Sequence, residues 1–461
     1  MSAIRFPHWA FGFRISSMKV LLLIAGKSVR FWPLSEKTLF PICGTDLLKT
    51  TTGRLKSAGL TDITLIGGAH NLELVKEKYP EFSTVEQKDL SLGMRGALLD
   101  TLPDIGTEPV MIVCVNDVID PSAYKNLIDK CESPDVQGAL LAQKVDRYFP
   151  GGYLNIDGER ITRIIEKPGE GNEPSDLVNI VAHVHKDSSV LLEALKQAPA
   201  KDDGYEIALD QLFKKYIYSA VPYESVGTPR QSQLPWQAIK YPWHMLNLLP
   251  ILLAEAKEQK IHESAQVHPT AVIDGPVILS EGVKIFPHAT VRGPCYIGPR
   301  SIVANNALVR DSSIGSDCVV GYSSEVKASV FADHVWTHTT YVGDSVVGSN
   351  VSFGAGSATG NLRLDEAEIS SVIKGEKIKT GLNKLGTIIG TDCRLGIHTG
   401  INPGVKIGSG TFISSHVLVS EDVPDKSFVT MKKDEMKVRE NKIGVPGAEK
   451  REGFRNKTIG N

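Results

Sequence analysis

From Val267 to Val309 the chain reads VHPTAVIDGPVILSEGVKIFPHATVRGPCYIGPRSIVANNALV, with an aliphatic residue at every sixth position. The beat falls on Val267, Ile273, Leu279, Ile285, Val291, Ile297, Val303 and Val309. It returns at Ile389, Leu395, Ile401, Ile407, Ile413 and Val419. A helix repeats its buried face every 3.6 residues and a strand every 2, so neither keeps this period. A parallel β-helix does. Each flat side of about six residues turns one aliphatic residue to the axis, and three sides close a coil.

Outside this region the composition excludes more than it assigns. A chain of 461 residues exceeds what one core usually supports. With 51 basic and 53 acidic residues, the net charge of −2 gives no electrostatic reason to expect nucleic acid or a membrane surface as partner. The six cysteines are scattered without C-x-x-C spacing. They read as reduced thiols of a cytoplasmic protein, with no disulfide framework or zinc site. No apolar run reaches the roughly eighteen residues of a membrane span. Residues 1–17 lack the continuous apolar core of a signal peptide and read as an N-terminal extension.

Residues 18–240 alternate strand-like and helix-like segments, which predicts an α/β domain around a mainly parallel sheet. Strands are expected over 19–25, 62–67 and 110–115, and helices over 47–58 and 71–79. Ligands of such sheets bind beyond the carboxyl ends of the strands, so the loops at Gly26 and Asn116 are the first places to look. A linking helix is expected over 241–262, the β-helix over 263–425 and a charged tail over 426–461, frayed from Lys432 on.

The loop Gly26-Lys27-Ser28 invites a P-loop reading, which fails because Leu21 stands where a Walker motif requires glycine. Gly26, Arg30, Pro33, Leu34, Lys37, Pro41 and Gly44 instead resemble the signature of sugar-1-phosphate nucleotidylyltransferases. In order follow Glu86-Gln87, Leu92-Gly93, Asn116-Asp117, Glu166-Lys167-Pro168, Asn179 and Val226-Gly227-Thr228-Pro229. The resemblance implies a Rossmann-like nucleotidyltransferase domain. In it Gly26, Arg30 and Lys37 would hold phosphate and Asp117 would hold Mg²⁺. Gln87 and Gly93 would face the base, and Glu166 and Asn179 the sugar. The chain departs from the pattern at Ser28, Val29 and Ser225, which replace a glycine, a hydroxyl residue and a second acidic residue.

Within the interval where the six-residue beat lapses lie Glu325-Val326-Lys327, His338-Thr339-Thr340-Tyr341-Val342-Gly343-Asp344, Phe353-Gly354-Ala355-Gly356, Asn361 and Asn383-Lys384. This series resembles the acetyltransferase half of the bifunctional N-acetylglucosamine-1-phosphate uridylyltransferase/glucosamine-1-phosphate acetyltransferase family, with Ser352 replacing an asparagine. The resemblance implies a left-handed β-helix of hexapeptide repeats, a homotrimer, and acetyl-CoA as acyl donor in a groove near Gly408 and Ser409. Acetyl transfer to an amine requires a base, and His338 is the candidate. Arg310, Lys327 and Tyr341 would bind sugar phosphate, with Asn361 and Lys384 placing the substrates.

Three functions fit this reading. One is a bifunctional enzyme of UDP-N-acetylglucosamine synthesis, using a nucleoside triphosphate, an amino-sugar- or hexose-1-phosphate and acetyl-CoA. Another is a single-activity glucose- or mannose-1-phosphate nucleotidylyltransferase with a structural β-helix. The third is a non-catalytic sugar-nucleotide-binding or scaffolding protein.

Overall fold

A computed structural model describes residues 18–223, 236–432 and 435–442. Residues 1–17, Glu224, Ser225, the motif at 226–229 and the end of the tail lie outside the described residues. The chain divides into two compact units. One joins residues 18–27 to Leu48–Trp236, and the other joins Ser28–Leu47 to Gln237 and the residues after it.

The first unit is built on a nine-stranded sheet. Its strands are β1 (Lys19–Leu23), β2 (Ile63–Gly67), β3 (Ser83–Glu86), β4 (Val110–Cys114), β6 (Val136–Lys144), β7 (Gly152–Asp157), β8 (Arg160–Glu166), β9 (Leu177–His185) and β10 (Ile217–Pro222). The two-residue β5 (Asp117–Val118) follows β4. The order is β3-β2-β1-β4-β9-β6-β10-β8-β7. Strands β3, β2, β1 and β4 are parallel, and β9 enters antiparallel to β4 and β6. Continuous aliphatic runs suit the central strands because both faces are covered; Val20, Leu21, Leu22 and Val110 to Val113 are fully buried. Helices α1 (Leu47–Ser57) and α2 (Leu72–Lys78) match the expected segments within two residues.

In the second unit the chain winds through three parallel ladders in rotation, the arrangement of a three-sided parallel β-helix. Strands Val277–Leu279, Cys295–Ile297 and Ser313–Ile314 belong to one ladder. Strands Lys284–Ile285 and Ile302–Val303 belong to the second, and Thr290–Arg292, Leu308–Arg310 and Glu325–Lys327 to the third. The six-residue beat forms one continuous core from Val277 to Val429.

The six-residue count lapses after Val309, as the sequence suggests, but the coil and its core continue. Val291 pairs with Val309, 18 residues on. Val309 then pairs with Val326, 17 on, and Val326 with Val342, 16 on. Five-residue sides shorten these coils, while Ile314, Val320, Phe331, Val347 and Phe353 continue the core. A second periodicity sits at the corners, where His288, Asn306, Asp317, His334, Asn350 and His398 have φ between 54° and 60°. Asn, Asp and His tolerate this left-handed region better than most residues, so the corners select them.

The insertion lies later, after Thr359. There Ser370–Ile373 and Glu376–Lys379 form an antiparallel hairpin before Ile388–Ile389 resumes the first ladder against Val346–Val347. Two expected boundaries shift. The linking helix is only α3 (His244–Leu253), because Lys260–Ile261 already pairs with Ile278–Leu279 as the first strand of the coil. The charged tail expected from 426 opens with a hairpin, Ser427–Lys432 with Glu435–Glu440, the second strand of which lies in the stretch expected to fray. Its first strand continues a ladder beside Phe412–Ile413 and buries Val429 fully.

All six cysteines are free. Burial pushes the thiols of Cys43, Cys131, Cys295 and Cys393 up to about 12, which leaves them unreactive. Among the described residues, no helix is long and apolar enough to cross a membrane.

Candidate functional site

In the first unit the strand order reverses between β1 and β4, whose last residues Leu23 and Cys114 are paired. Their outgoing loops, with Gly26 and Asn116-Asp117, therefore leave the sheet side by side at its topological switch point. Gly26 is exposed, and a Cβ placed there would meet nothing within 4 Å. Packing does not demand this glycine, which leaves its backbone open to a ligand. The Ile24 carbonyl just before it accepts a 2.8 Å bond from the buried Asn71 amide, which fixes the loop's start.

Asp117 is buried, and its Oδ1 accepts a 2.9 Å bond from Trp236 Nε1. The adjacent Asn116 Oδ1 is buried without a hydrogen-bond partner. A partnerless amide oxygen and, one residue on, a carboxylate are both oxygen donors, the type Mg²⁺ takes; that ion keeps several waters and uses few protein ligands. Among the described residues there is no cluster of three or more acidic, His or Cys side chains for a metal.

Gln87, expected at the base, is buried and spends its Nε2 on the carbonyls of Asp89 (2.9 Å) and Gly93 (2.8 Å). It shapes the loop holding Gly93. Glu166 ends β8 in an ion pair with Lys167 at 2.7 Å. Beside them Glu206 was missed by sequence reading. Burial, then the Glu166 carboxylate, raise its pKa to about 8. Asn179 is buried on β9, with Oδ1 2.6 Å from His183 Nε2.

The signature loop belongs to the second unit from Ser28 on. Ser28 has φ 39°, the left-handed region that the family's glycine enters freely, and begins a 3-10 turn over Val29–Phe31. Arg30 is exposed and has no hydrogen bond or ion pair among the described residues. Lys37 is buried and donates from Nζ to the Ile239 carbonyl at 3.2 Å. The two expected phosphate cations therefore have different surroundings, one open and one committed to backbone.

The third ladder gathers most of the other predicted residues. Val309, Val326 and Val342 point inward, so their neighbours Arg310, Lys327 and Tyr341 lie on the outer face of adjacent coils. Arg310 donates from Nε (3.0 Å) and Nη2 (2.7 Å) to Glu325 Oε1, which raises its pKa further. Lys327 Nζ lies 3.0 Å from Asp344 Oδ2. Asn361 Nδ2 donates to that oxygen at 2.5 Å and to the Tyr341 hydroxyl at 3.2 Å. A Cβ at Gly343 would sit 2.4 Å from the Tyr341 hydroxyl, so only glycine lets that ring fold back over the strand.

Asp344 and Glu325, to which the motifs alone give no role, hold the two cations. Lys384 is exposed, and its backbone bridges Leu362 while Leu385 N donates to the Asn361 carbonyl at 2.9 Å. His338 is exposed three residues before Tyr341, on a turn closed by Thr340 Oγ1 donating to the His338 carbonyl at 2.8 Å. Ser409, expected in the acyl-CoA groove, donates its hydroxyl to the Pro33 carbonyl at 3.3 Å.

The switch-point sheet defines the class. A family described as "Nucleotidyl transferase" matches residues 19–226, and one described as "GMPPB C-terminal domain" matches residues 256–354. A protein of Sulfurisphaera tokodaii named bifunctional sugar-1-phosphate nucleotidylyltransferase/acetyltransferase is 31% identical, over 88% of this chain and 98% of its own. The bifunctional protein GlmU of Methanococcus vannielii is 29% identical over 92% of this chain and 99% of its own. That of Staphylococcus haemolyticus is 23% identical over 88% and 95%. The chain belongs to the family of bifunctional sugar-1-phosphate nucleotidylyltransferase/acetyltransferases and is a transferase.

Proposed function

We propose that the chain catalyses two steps of UDP-N-acetylglucosamine synthesis: acetyl transfer from acetyl-CoA to glucosamine-1-phosphate, and nucleotidyl transfer to the resulting sugar phosphate. The observation carrying the first is the outer-face cluster of Arg310, Lys327, Tyr341 and Asn361, with His338 exposed on the turn three residues before Tyr341. Two cations and a phenol suit a sugar phosphate. His338 accepts the amine proton as nitrogen attacks the thioester carbonyl, and the coenzyme leaves as its thiol. In the second step a sugar-phosphate oxygen attacks the α-phosphorus of a nucleoside triphosphate and pyrophosphate departs. That transfer needs positioning and charge neutralisation more than covalent catalysis.

In this reading the coil, whose first strand is Lys260–Ile261, is a left-handed β-helix. The molecule is a cytoplasmic homotrimer, whose threefold symmetry creates acyl-CoA grooves between subunits. Asp117 and the Asn116 amide oxygen are the Mg²⁺ ligands, and the ion, when bound, supplies neutralisation of phosphate charge. Arg30 and Lys37 contact phosphate, Gly93 the base, Glu166 and Asn179 the sugar, and Lys384 the acetyl-site substrates.

The test is a paired assay on purified protein. Coenzyme A release is followed with acetyl-CoA and glucosamine-1-phosphate, and pyrophosphate release with Mg²⁺ across nucleoside triphosphates and sugar-1-phosphates. Both activities are expected. Pyrophosphate release alone, with glucose- or mannose-1-phosphate, would replace this reading by a single-activity enzyme whose β-helix is structural. That alternative is favoured by the match to the GMPPB C-terminal domain.

A further inference from the structure

Behind Asn179 runs a buried polar chain that neither proposed reaction uses. Asn179 Oδ1 lies 2.6 Å from His183 Nε2, and His183 Nδ1 lies 2.7 Å from the Tyr205 hydroxyl. That hydroxyl is 3.4 Å from His185 Nε2, and His185 Nδ1 is 2.9 Å from the Tyr218 hydroxyl. His183, His185, Tyr205 and Tyr218 are all fully buried. His183 and Tyr205 also stack, with centroids 5.7 Å apart and planes 8° from parallel. Four polar side chains in a sheet core cost stability unless every one is satisfied, and here each satisfies the next.

The placement of the Asn179 oxygen on His183 gives the chain one direction. Burial lowers the pKa of both imidazoles, that of His185 to about 3, so each ring is neutral and carries one N–H. With the Asn179 carbonyl oxygen on His183, Nε2–H donates to it and Nδ1 accepts from Tyr205 O–H. The Tyr205 oxygen accepts from His185 Nε2–H, and Tyr218 O–H donates to His185 Nδ1. The other end of the Asn179 amide, Nδ2, has no partner among the described residues and retains contact with solvent.

We propose that His183, backed by Tyr205, His185 and Tyr218, is a positioning residue that locks the Asn179 amide with its two N–H donors presented to the sugar. The site then selects a sugar bearing a hydrogen-bond acceptor there, a hydroxyl or an acetamido carbonyl. This rests on the assignment of Asn179 to the sugar. Without the Nε2–H donor, the amide is free to turn its oxygen to the ligand, where it repels an acceptor.

The experiment measures pyrophosphate release with the most active substrate pair, varying sugar-1-phosphate and nucleoside triphosphate separately. His183→Phe should raise KM for the sugar phosphate about tenfold, with kcat and the nucleotide KM unchanged. His183→Gln, which restores an N–H donor, should recover most of the loss, and Tyr205→Phe should give a smaller rise of about threefold. Thermal midpoints are recorded for each variant, and Tyr205→Phe serves if His183→Phe fails to fold. If Asn179→Ala raises the sugar KM and neither His183→Phe nor Tyr205→Phe does, the positioning chain is overturned while the site stands. If Asn179→Ala leaves that KM unchanged, the assignment of Asn179 itself falls. Equal changes in both KM values, not rescued by glutamine, would reduce His183 to a packing role and overturn the proposal.

Discussion

Trp32 donates its indole N–H to both carboxylate oxygens of Asp425, at 3.1 and 3.2 Å, across 393 residues of chain. The nucleotidyl signature loop is thus fastened to the last coils of the β-helix. Beneath the indole lies Lys406, its Nζ 5.6 Å from the ring centroid and its side chain only 1% exposed. The same ammonium pairs with Asp422 and donates to Ser371 Oγ and the Val372 carbonyl, both at 2.9 Å. One buried cation therefore joins the signature loop, the inserted hairpin and the final coils.

Removing one partner of a buried ion pair strands the other. Lys406→Ala should cost about 3–5 kcal/mol, whereas Lys406→Met combined with Asp422→Leu should recover much of it. Denaturant unfolding of both variants checks this; an undisturbed single mutant would show that the pair carries no stability.

His338→Ala should lower acetyl transfer by about 10²–10⁴-fold, the usual contribution of a general base, with the oligomeric state unchanged. Coenzyme A release and size-exclusion chromatography provide the two readouts. Acetylation at the unmutated rate would remove His338 from the mechanism.

Asp117→Asn should reduce Mg²⁺-dependent pyrophosphate release by about 100-fold, because charge that stabilises the transition state is worth that much in a dry site. The Trp236 bond accepts either side chain, so the thermal midpoint should hold. Metal titration of the variant at full activity would reject the assignment.

Ser28→Gly should be neutral or stabilising by up to about 1 kcal/mol, since glycine occupies φ 39° without Cβ strain and that relief offsets its greater freedom when unfolded. It should also raise nucleotidyl transfer, if crowding of the phosphate approach limits the rate. Thermal melts and pyrophosphate release test the two parts separately.

Glu206 makes stability fall as pH rises. Its folded pKa of about 8 lies above the ordinary carboxylate value of 4.5. Between those values the folded state holds a proton the unfolded chain has lost, so unfolding free energy declines from about pH 4.5 to 8 and then levels. Glu206→Gln should flatten that slope and raise the melting midpoint at pH 8.5. The slope persisting in the variant would assign it to another group.

Much of the fold was legible because it is periodic. The aliphatic beat names inward residues directly, and the aliphatic runs of β1, β2 and β4 mark buried strands. The shortened coils were not legible, since five-residue sides break the count without breaking the core. Motif letters singled out Asp117, Asn179, Tyr341 and Asn361. They did not reveal that Asp344 holds Lys327, or that Glu206 lies beside Glu166.

The sequence by itself determined the two architectures and the ordered motifs, because local period and motif order need no knowledge of distant contacts. Only the tertiary structure decided that Trp32 meets Asp425, that Lys406 is buried under the Trp32 ring, and that Asn179 is backed by His183 and Tyr205. Those partners are brought together by coil winding and strand pairing, and the cost of burying a polar group depends on which partner arrives.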